Sequence, residues 1–247
     1  MRSIDLNADM GEYNTEKERQ NEAALMPLVS SCSIACGGHT GTAETMQATV
    51  RLAKSHSVRA GAHPSYPDQE GFGRRSIDIP RDELEASLRT QILNLKNILD
   101  TNGLEANHIK PHGALYNDAA KNIDLARLIA RASGNTALVG PPGSALEQAA
   151  SESGLQFFSE GFVDRRYLAN GALTPRSMDG AIIKDVTERA AQATAIAQQE
   201  SFKAADGDLR LRVDTLCIHS DSPGAVETAT QVRHALETKG FSIRPFT

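Results

Sequence analysis

An α/β barrel is the fold class this sequence predicts, and three observations predict it. Short apolar runs alternate with amphipathic stretches along the chain, about seven such units follow one another, and the Gly-rich fingerprint of an open dinucleotide-binding sheet is absent. Its 247 residues also match the roughly 250 that a single α/β barrel needs. With 40% hydrophobic and 23% charged residues, the composition is that of a globular chain able to bury a substantial core. No internal repeat or low-complexity linker divides it, so one domain over residues 1–247 is expected.

Strands are predicted at 3–6, 31–35, 58–62, 108–110, 136–139, 156–159 and 215–218. Helical patterns fill nearly all the intervals. The clearest spans 81–100, where Leu84, Leu88, Ile92, Leu95 and Leu99 recur at helical spacing behind Pro80. Asp82 and Glu83 suit the positive N-terminal end of that helix. The polar stretch 200–214, with Asp206, Gly207 and Asp208, reads as a surface loop or hairpin before the last core strand.

Composition narrows the partners. A formal charge of −5 leaves no basic stripe for a nucleic-acid backbone. No window approaches 18 consecutive apolar residues, so no membrane span is expected. Acids within the first dozen residues and the lack of a long apolar core argue against a targeting segment. Cys32, Cys36 and Cys217 are an odd number in a chain without an export signal, which points to reduced thiols and a cytoplasmic location.

The reactive side chains fall at the strand ends. Asp5, Asn7 and Asp9 lie at or just beyond the first strand, Cys36 and His39 follow the second, and His63 follows the third. Lys110 and His112 end the fourth, Glu160 and Asp164 follow the sixth, and His219 and Asp221 follow the seventh. In a parallel barrel those ends meet on one face, so dispersed residues become one pocket. Each has a plainer reading: Asp5 and Asn7 as caps of a turn or helix, Cys36 as a packing thiol, Arg74 and Arg75 as solvated loop arginines. His56, His108 and His234 follow no predicted strand and suit structural roles.

The motifs of a phosphate loop, a serine-hydrolase elbow and a zinc-protease helix are absent. What remains is imidazoles, carboxylates and one well-placed lysine, which suits acid/base chemistry with electrostatic support. His and Asp are good metal ligands, but no ligand spacing here is diagnostic, so a metal stays open.

The segments Asp5 to Glu12, Ser33 to His39, Gly61 to Asp68, Gly71 to Arg75 and Lys110 to Asn117 carry a family resemblance. Glu160 to Tyr167, Leu173 to Arg176 and Cys217 to Pro223 continue it, in the same order, over nearly the whole chain. The sequence resembles the LamB/YcsF family. It departs from the family pattern at Ala8, Gly38, Thr40-Gly41-Thr42 and Ser220, where the family usually has Cys, Phe, Ala-Gly-Asp and Gly.

That resemblance implies a seven-stranded, distorted TIM-like barrel of the glycoside hydrolase/deacetylase type. It also implies a role as the A subunit of an ATP-dependent 5-oxoprolinase, which opens the lactam of 5-oxoproline to glutamate alongside two further subunits, B and C. ATP is then a co-substrate, with Mg. On this reading Asp9 or Glu160 acts as base toward water, and His63 or His112 protonates the departing ring nitrogen. Lys110 with Arg74 or Arg165 balances phosphate or carboxylate charge. Asn7, His39, Asp164, His219 and Asp221 complete the expected substrate pocket. Two rivals are a stand-alone metal-dependent, deacetylase-like hydrolase and a non-catalytic subunit that binds a small acid.

Overall fold

The computed structural model describes residues 2–176 and 178–246. Its first strand, β1 (Arg2–Met10), is two-faced because Ile4, Leu6, Ala8 and Met10 alternate with Asp5, Asn7 and Asp9. The apolar set packs in the core, and the polar set turns into the barrel, where it meets side chains from other strands. β1 leads through α1 (Glu16–Leu25) and a 3-10 turn at Met26–Leu28 to β2 (Ser31–Ala35), α2 (Ala43–Ser55) and β3 (Arg59–His63). Next come α3 (Arg81–Thr101), β4 (His108–Ile109), α4 (Gly113–Ala119), α5 (Ile123–Ser133), β5 (Ala137–Gly140), α6 (Ala145–Glu152) and β6 (Phe157–Phe162). The last elements are α7 (Val186–Gln198), the hairpin of β7 (Phe202–Lys203) and β8 (Asp208–Leu209), β9 (Thr215–Ile218), α8 (Ala225–Thr238) and β10 (Phe241–Ile243).

Strands β1, β2, β3, β4, β5, β6 and β9 pair in that order, all parallel, and β9 returns to β1. The expected seven-stranded barrel is therefore closed, with the connecting helices packed outside. All seven predicted strands are present. The stretch at 200–214 forms the antiparallel β7–β8 hairpin. β10 was not foreseen: it extends the sheet beside Arg2 to Ile4 of β1, too short a run to signal itself.

Strand lengths correct three placements. β1 continues to Met10, so Asp5, Asn7 and Asp9 lie within it rather than capping a turn. Glu160 is inside β6, and His63 is the last residue of β3. His108 lies within β4, buried, with Nε2 3.0 Å from Ser33 Oγ, which is the structural role expected of it.

α3 buries Leu84, Leu88, Ile92, Leu95 and Leu99 as the periodicity requires, each worth about 1.5–3 kcal/mol of transfer free energy. Gln91 interrupts that apolar stripe. Its amide clamps Ser65 by accepting from the backbone N (3.0 Å) and donating to the carbonyl (3.0 Å), which fixes the loop after β3. A Cβ at Gly38 would collide with Ser65 and Gln91, so here that clamp occupies the place of the family's usual Phe.

No helix among the described residues is long and apolar enough to cross a membrane. All three cysteines are free and buried.

At Gly61 a Cβ would sit 2.5 Å from the ring and the carbonyl oxygen of His108. Gly61→Ala should force β3 from β4 and cost about 3 kcal/mol, read as a lower urea midpoint. An unchanged midpoint would refute this close approach.

Candidate active site

Parallel strands direct their C-terminal ends to one face, and Lys110, one residue past β4, is buried there. Its ammonium donates to Glu160 Oε1 (2.9 Å) and Asn7 Oδ1 (3.1 Å), and lies 2.6 Å from Asp9 Oδ1 and 3.4 Å from Cys217 Sγ. Asn7 Nδ2 in turn donates to Thr215 Oγ1 (2.7 Å) and Glu160 Oε1 (3.1 Å). Burial alone would favour a neutral amine. The neighbouring Asp9 and Glu160 outweigh it and hold the lysine pKa well above its ordinary value. Burial likewise opposes the Asp9 carboxylate, but the charges of His63 and Lys110 keep its pKa well below the ordinary value. Below this floor Asp5 accepts from Ser30 (2.7 Å) and Ser31 (2.8 Å) and from Thr215.

Above the floor stand three histidines. His39 stacks on His112 with ring centroids 3.7 Å apart, and His63 meets both edge-on. Hydrogen bonding constrains the protons. His63 Nδ1 donates to the Lys110 carbonyl (2.7 Å) and His112 Nε2 donates to the Phe72 carbonyl (3.0 Å). The facing atoms, His63 Nε2 and His112 Nδ1, are 3.0 Å apart. Two neutral rings would oppose lone pairs across that gap, so the pair needs one proton or one cation between them. Asp9 Oδ2 lies 3.3 Å from His63 Nε2, where it stabilises positive charge. Burial, reinforced by His63, depresses the pKa of both His39 and His112.

Glu12 joins this cluster from the turn after β1. Glu22 of α1 shapes that turn by accepting from the backbone N of Gly11 (2.7 Å) and Glu12 (2.9 Å). Glu12 Oε1 accepts from His39 Nε2 (2.9 Å) and lies 3.4 Å from His112 Nδ1 and 3.8 Å from His63 Nε2. Burial, with Asp9 and Asp221 nearby, pushes its pKa up to about 7. Glu12, His63 and His112 thus present three donor atoms close enough together to hold a cation. Asp9, Cys217 and His219 also cluster, but the Lys110 ammonium already lies against Asp9 and Cys217.

On the β9 side, His219 Nδ1 donates to Asp164 Oδ1 (2.8 Å), and Ser222 Oγ donates to Asp164 Oδ2 (2.8 Å). Burial opposes both charges, yet the pairing raises the His219 pKa and lowers that of Asp164 to about 2. Arg74 reaches across the mouth to Asp221 (2.5 Å), whereas Arg75 is held within its own loop by Asp68 (2.6 Å).

A cavity of about 440 Å³ opens over these groups. Of the residues expected from sequence, Asp9, His63, Arg74, Lys110, His112, Glu160, Arg165, His219 and Asp221 all line it. Asn7 lies in the floor, His39 behind His112, and Asp164 behind His219, so these three orient the residues that face the cavity. A neighbouring cavity of about 540 Å³ shares Glu12 and the Arg74–Asp221 pair with it. Cys36 packs in the core, its thiol pushed up to about 12 by burial, which leaves it no nucleophilic role. Sequence reasoning missed Glu12, Tyr116, Thr174 and Arg176 as lining residues. Glu12 had a signal, being an acid two residues beyond a strand whose inward face is already acidic.

The model of the LamB/YcsF family matches residues 4–247. A Thermus thermophilus protein, named as the A subunit of 5-oxoprolinase, is 42% identical over 248 residues, covering 98% of this chain and 99% of that one. A protein of the same name from Chloroflexus aggregans is 43% identical over 249 residues, covering 99% of each. The crystal structure of a lactam utilization protein from Thermus thermophilus matches with a TM-score of 0.89 at 42% identity, covering 99% of this chain and 100% of that one.

The raised pKa of Glu12 makes a signed prediction. A carboxyl near 7 when folded, against an ordinary 4.5, adds stability that is fully present below about pH 4.5 and lost as pH rises through 7. Glu12→Gln removes that dependence. Relative to the variant, the wild type should lose on the order of 3 kcal/mol between pH 4.5 and 8 in urea unfolding with a chelator present. A pH-independent difference would refute the assignment.

Proposed function

Because the chain belongs to the LamB/YcsF family, we propose that it is the A subunit of an ATP-dependent 5-oxoprolinase that converts 5-oxo-L-proline to L-glutamate with hydrolysis of ATP to ADP and phosphate. It acts with two further subunits, B and C. The observation that carries this reading is full-length identity above 40% to proteins named for that activity, joined to a cavity lined by acids, bases and cations.

The chemistry explains the need for ATP. A five-membered lactam is an unactivated amide that re-forms easily from the open chain, so its hydrolysis is slow and poorly driven. Transfer of the γ-phosphoryl group to the lactam oxygen, as the bond to ADP breaks, makes the ring carbon electrophilic. Water adds to that carbon, and the ring nitrogen leaves as it takes a proton, giving an acyl phosphate. A second water then releases phosphate and the side-chain carboxylate.

The residues suit these steps in distinct ways. Lys110 and Asp9 are a fixed charge pair, with the lysine placed to stabilise oxyanion charge. The proton required between His63 and His112 is suited to delivery to the ring nitrogen. Glu12, near neutrality, and the free Oε2 of Glu160 are the acceptors for protons from water. Arg74, Arg165 and His219 supply positive charge around the cavity, and Asp221 holds Arg74. Mg accompanies ATP as its counterion.

The facing nitrogens of His63 and His112 beside Glu12 also favour a second reading, a metal-dependent hydrolase active without partners. A divalent cation held there would polarise a carbonyl or acidify water.

The decisive assay measures glutamate release from 5-oxoproline by the three combined subunits, with and without ATP, omitting each chain in turn. ATP-dependent release that requires this chain is expected. Release by this chain alone, without ATP and abolished by a chelator, would favour the metal-dependent reading instead. In the complete mixture, Asp9→Ala and His112→Ala should each lower release at least a hundredfold while circular dichroism stays native. Full activity in both would remove this cavity from the chemistry.

A further inference from the structure

After β6 the chain folds back as a narrow ribbon, in which Arg165 bridges Ile182 and Tyr167 bridges Leu173. Backbone bonds from Thr174 N to Arg166 O and from Ile183 N to Asp164 O, both 2.9 Å, pin the two sides together. From α7, Gln192 Nε2 donates to the carbonyls of Phe162 and Arg165, each at 2.9 Å. Arg165 and Thr174 therefore meet the cavity from a fixed backbone.

Their polar groups are underused. Arg165 is 6% exposed, yet its neighbours Asp164 and Arg166 are committed to His219 and Glu188, and no acid pairs with it among the described residues. Its Nη2 donates to the Thr174 carbonyl (2.7 Å), while its Nε has no acceptor. The Thr174 hydroxyl, on a residue 2% exposed, also has no partner. Leaving a buried guanidinium and hydroxyl unmatched is costly, so native structures rarely do it without a ligand to match them. Arg176, on the same wall, adds a second guanidinium. Burial and then Arg176 bring the Arg165 pKa down to about 10, a sign that positive charge there is in excess.

The geometry points to a carboxylate subsite in which Arg165, Thr174 and Arg176 hold the acid group of a small cyclic amide, leaving its ring toward Lys110 and the His63–His112 pair. This assignment rests on the proposed function, because that reading supplies a substrate bearing one carboxylate. It goes further in giving the acid group its own set of residues. A nucleotide phosphate shares the oxyanion chemistry and is the competing occupant.

Calorimetric titration of the full chain separates these occupants, using 5-oxoproline, 2-pyrrolidinone (the ring without the acid), cyclopentanecarboxylate (the acid without the amide) and inorganic phosphate. Arg165→Met should weaken both carboxylates roughly ten- to hundredfold and leave 2-pyrrolidinone unchanged, with smaller losses for Thr174→Val and Arg176→Met. If Arg165→Met does not fold, the other two variants carry the test. Arg165-dependent binding of cyclopentanecarboxylate with no preference for 5-oxoproline would remove the proposed function and keep the subsite. Wild-type carboxylate affinity in the folded variants, sensitivity of phosphate alone, or no carboxylate binding to the wild type would each overturn the subsite.

Discussion

The buried ammonium of Lys110 is the constraint on which the rest of the site depends. It projects from just past β4 and reaches Asn7 and Asp9 of β1, Glu160 of β6 and Cys217 of β9. One cation thus ties together strands from around the barrel. Two carboxylates in a dry interior are tolerable only with such a partner, because each uncompensated buried ion costs several kcal/mol. The same pairing keeps Asp9 ionised, and an ionised Asp9 beside His63 stabilises an extra proton on the histidine pair.

Beneath that pair the barrel interior is polar, in contrast to the aliphatic layers that commonly fill such barrels. Asp5 with its hydroxyl donors, Asn7 with Thr215, and Ser33 with His108 form a connected hydrogen-bonded interior. The apolar core lies between sheet and helices, where Ile4, Leu6, Ala8 and Met10 pack. This division lets the strands carry reactive groups on rigid backbone. Loops then finish the site: Gln91 anchors the segment after β3, Glu22 the turn bearing Glu12, and Gln192 the ribbon bearing Arg165.

The barrel was legible in sequence because its signals are local. Seven short apolar runs, the Leu and Ile spacing of α3, and reactive residues at strand ends each reflect interactions within a few residues along the chain. The residues gathered by strand direction, Asp9, His63, Lys110, His112 and Glu160, follow from the same reading, since parallel closure sends all those ends to one face. The alternation in β1 was also present, although a strand ended at residue 6 hides that Asp5, Asn7 and Asp9 share its inward side.

By itself, then, the sequence determined the fold class, the family resemblance and which reactive side chains converge. Only the tertiary structure decided their states and pairings. Lys110 and Asn7 are 103 positions apart, His112 and His63 49, and no periodicity encodes the 3.0 Å gap that demands a shared proton or cation. Whether Asn7 faces substrate or orients Lys110, whether Cys36 reacts or packs, and whether Arg165 has an acid partner are all set by burial and distance across the closed barrel. Charge in a protein interior responds to every neighbour in space, and barrel closure is what selects those neighbours.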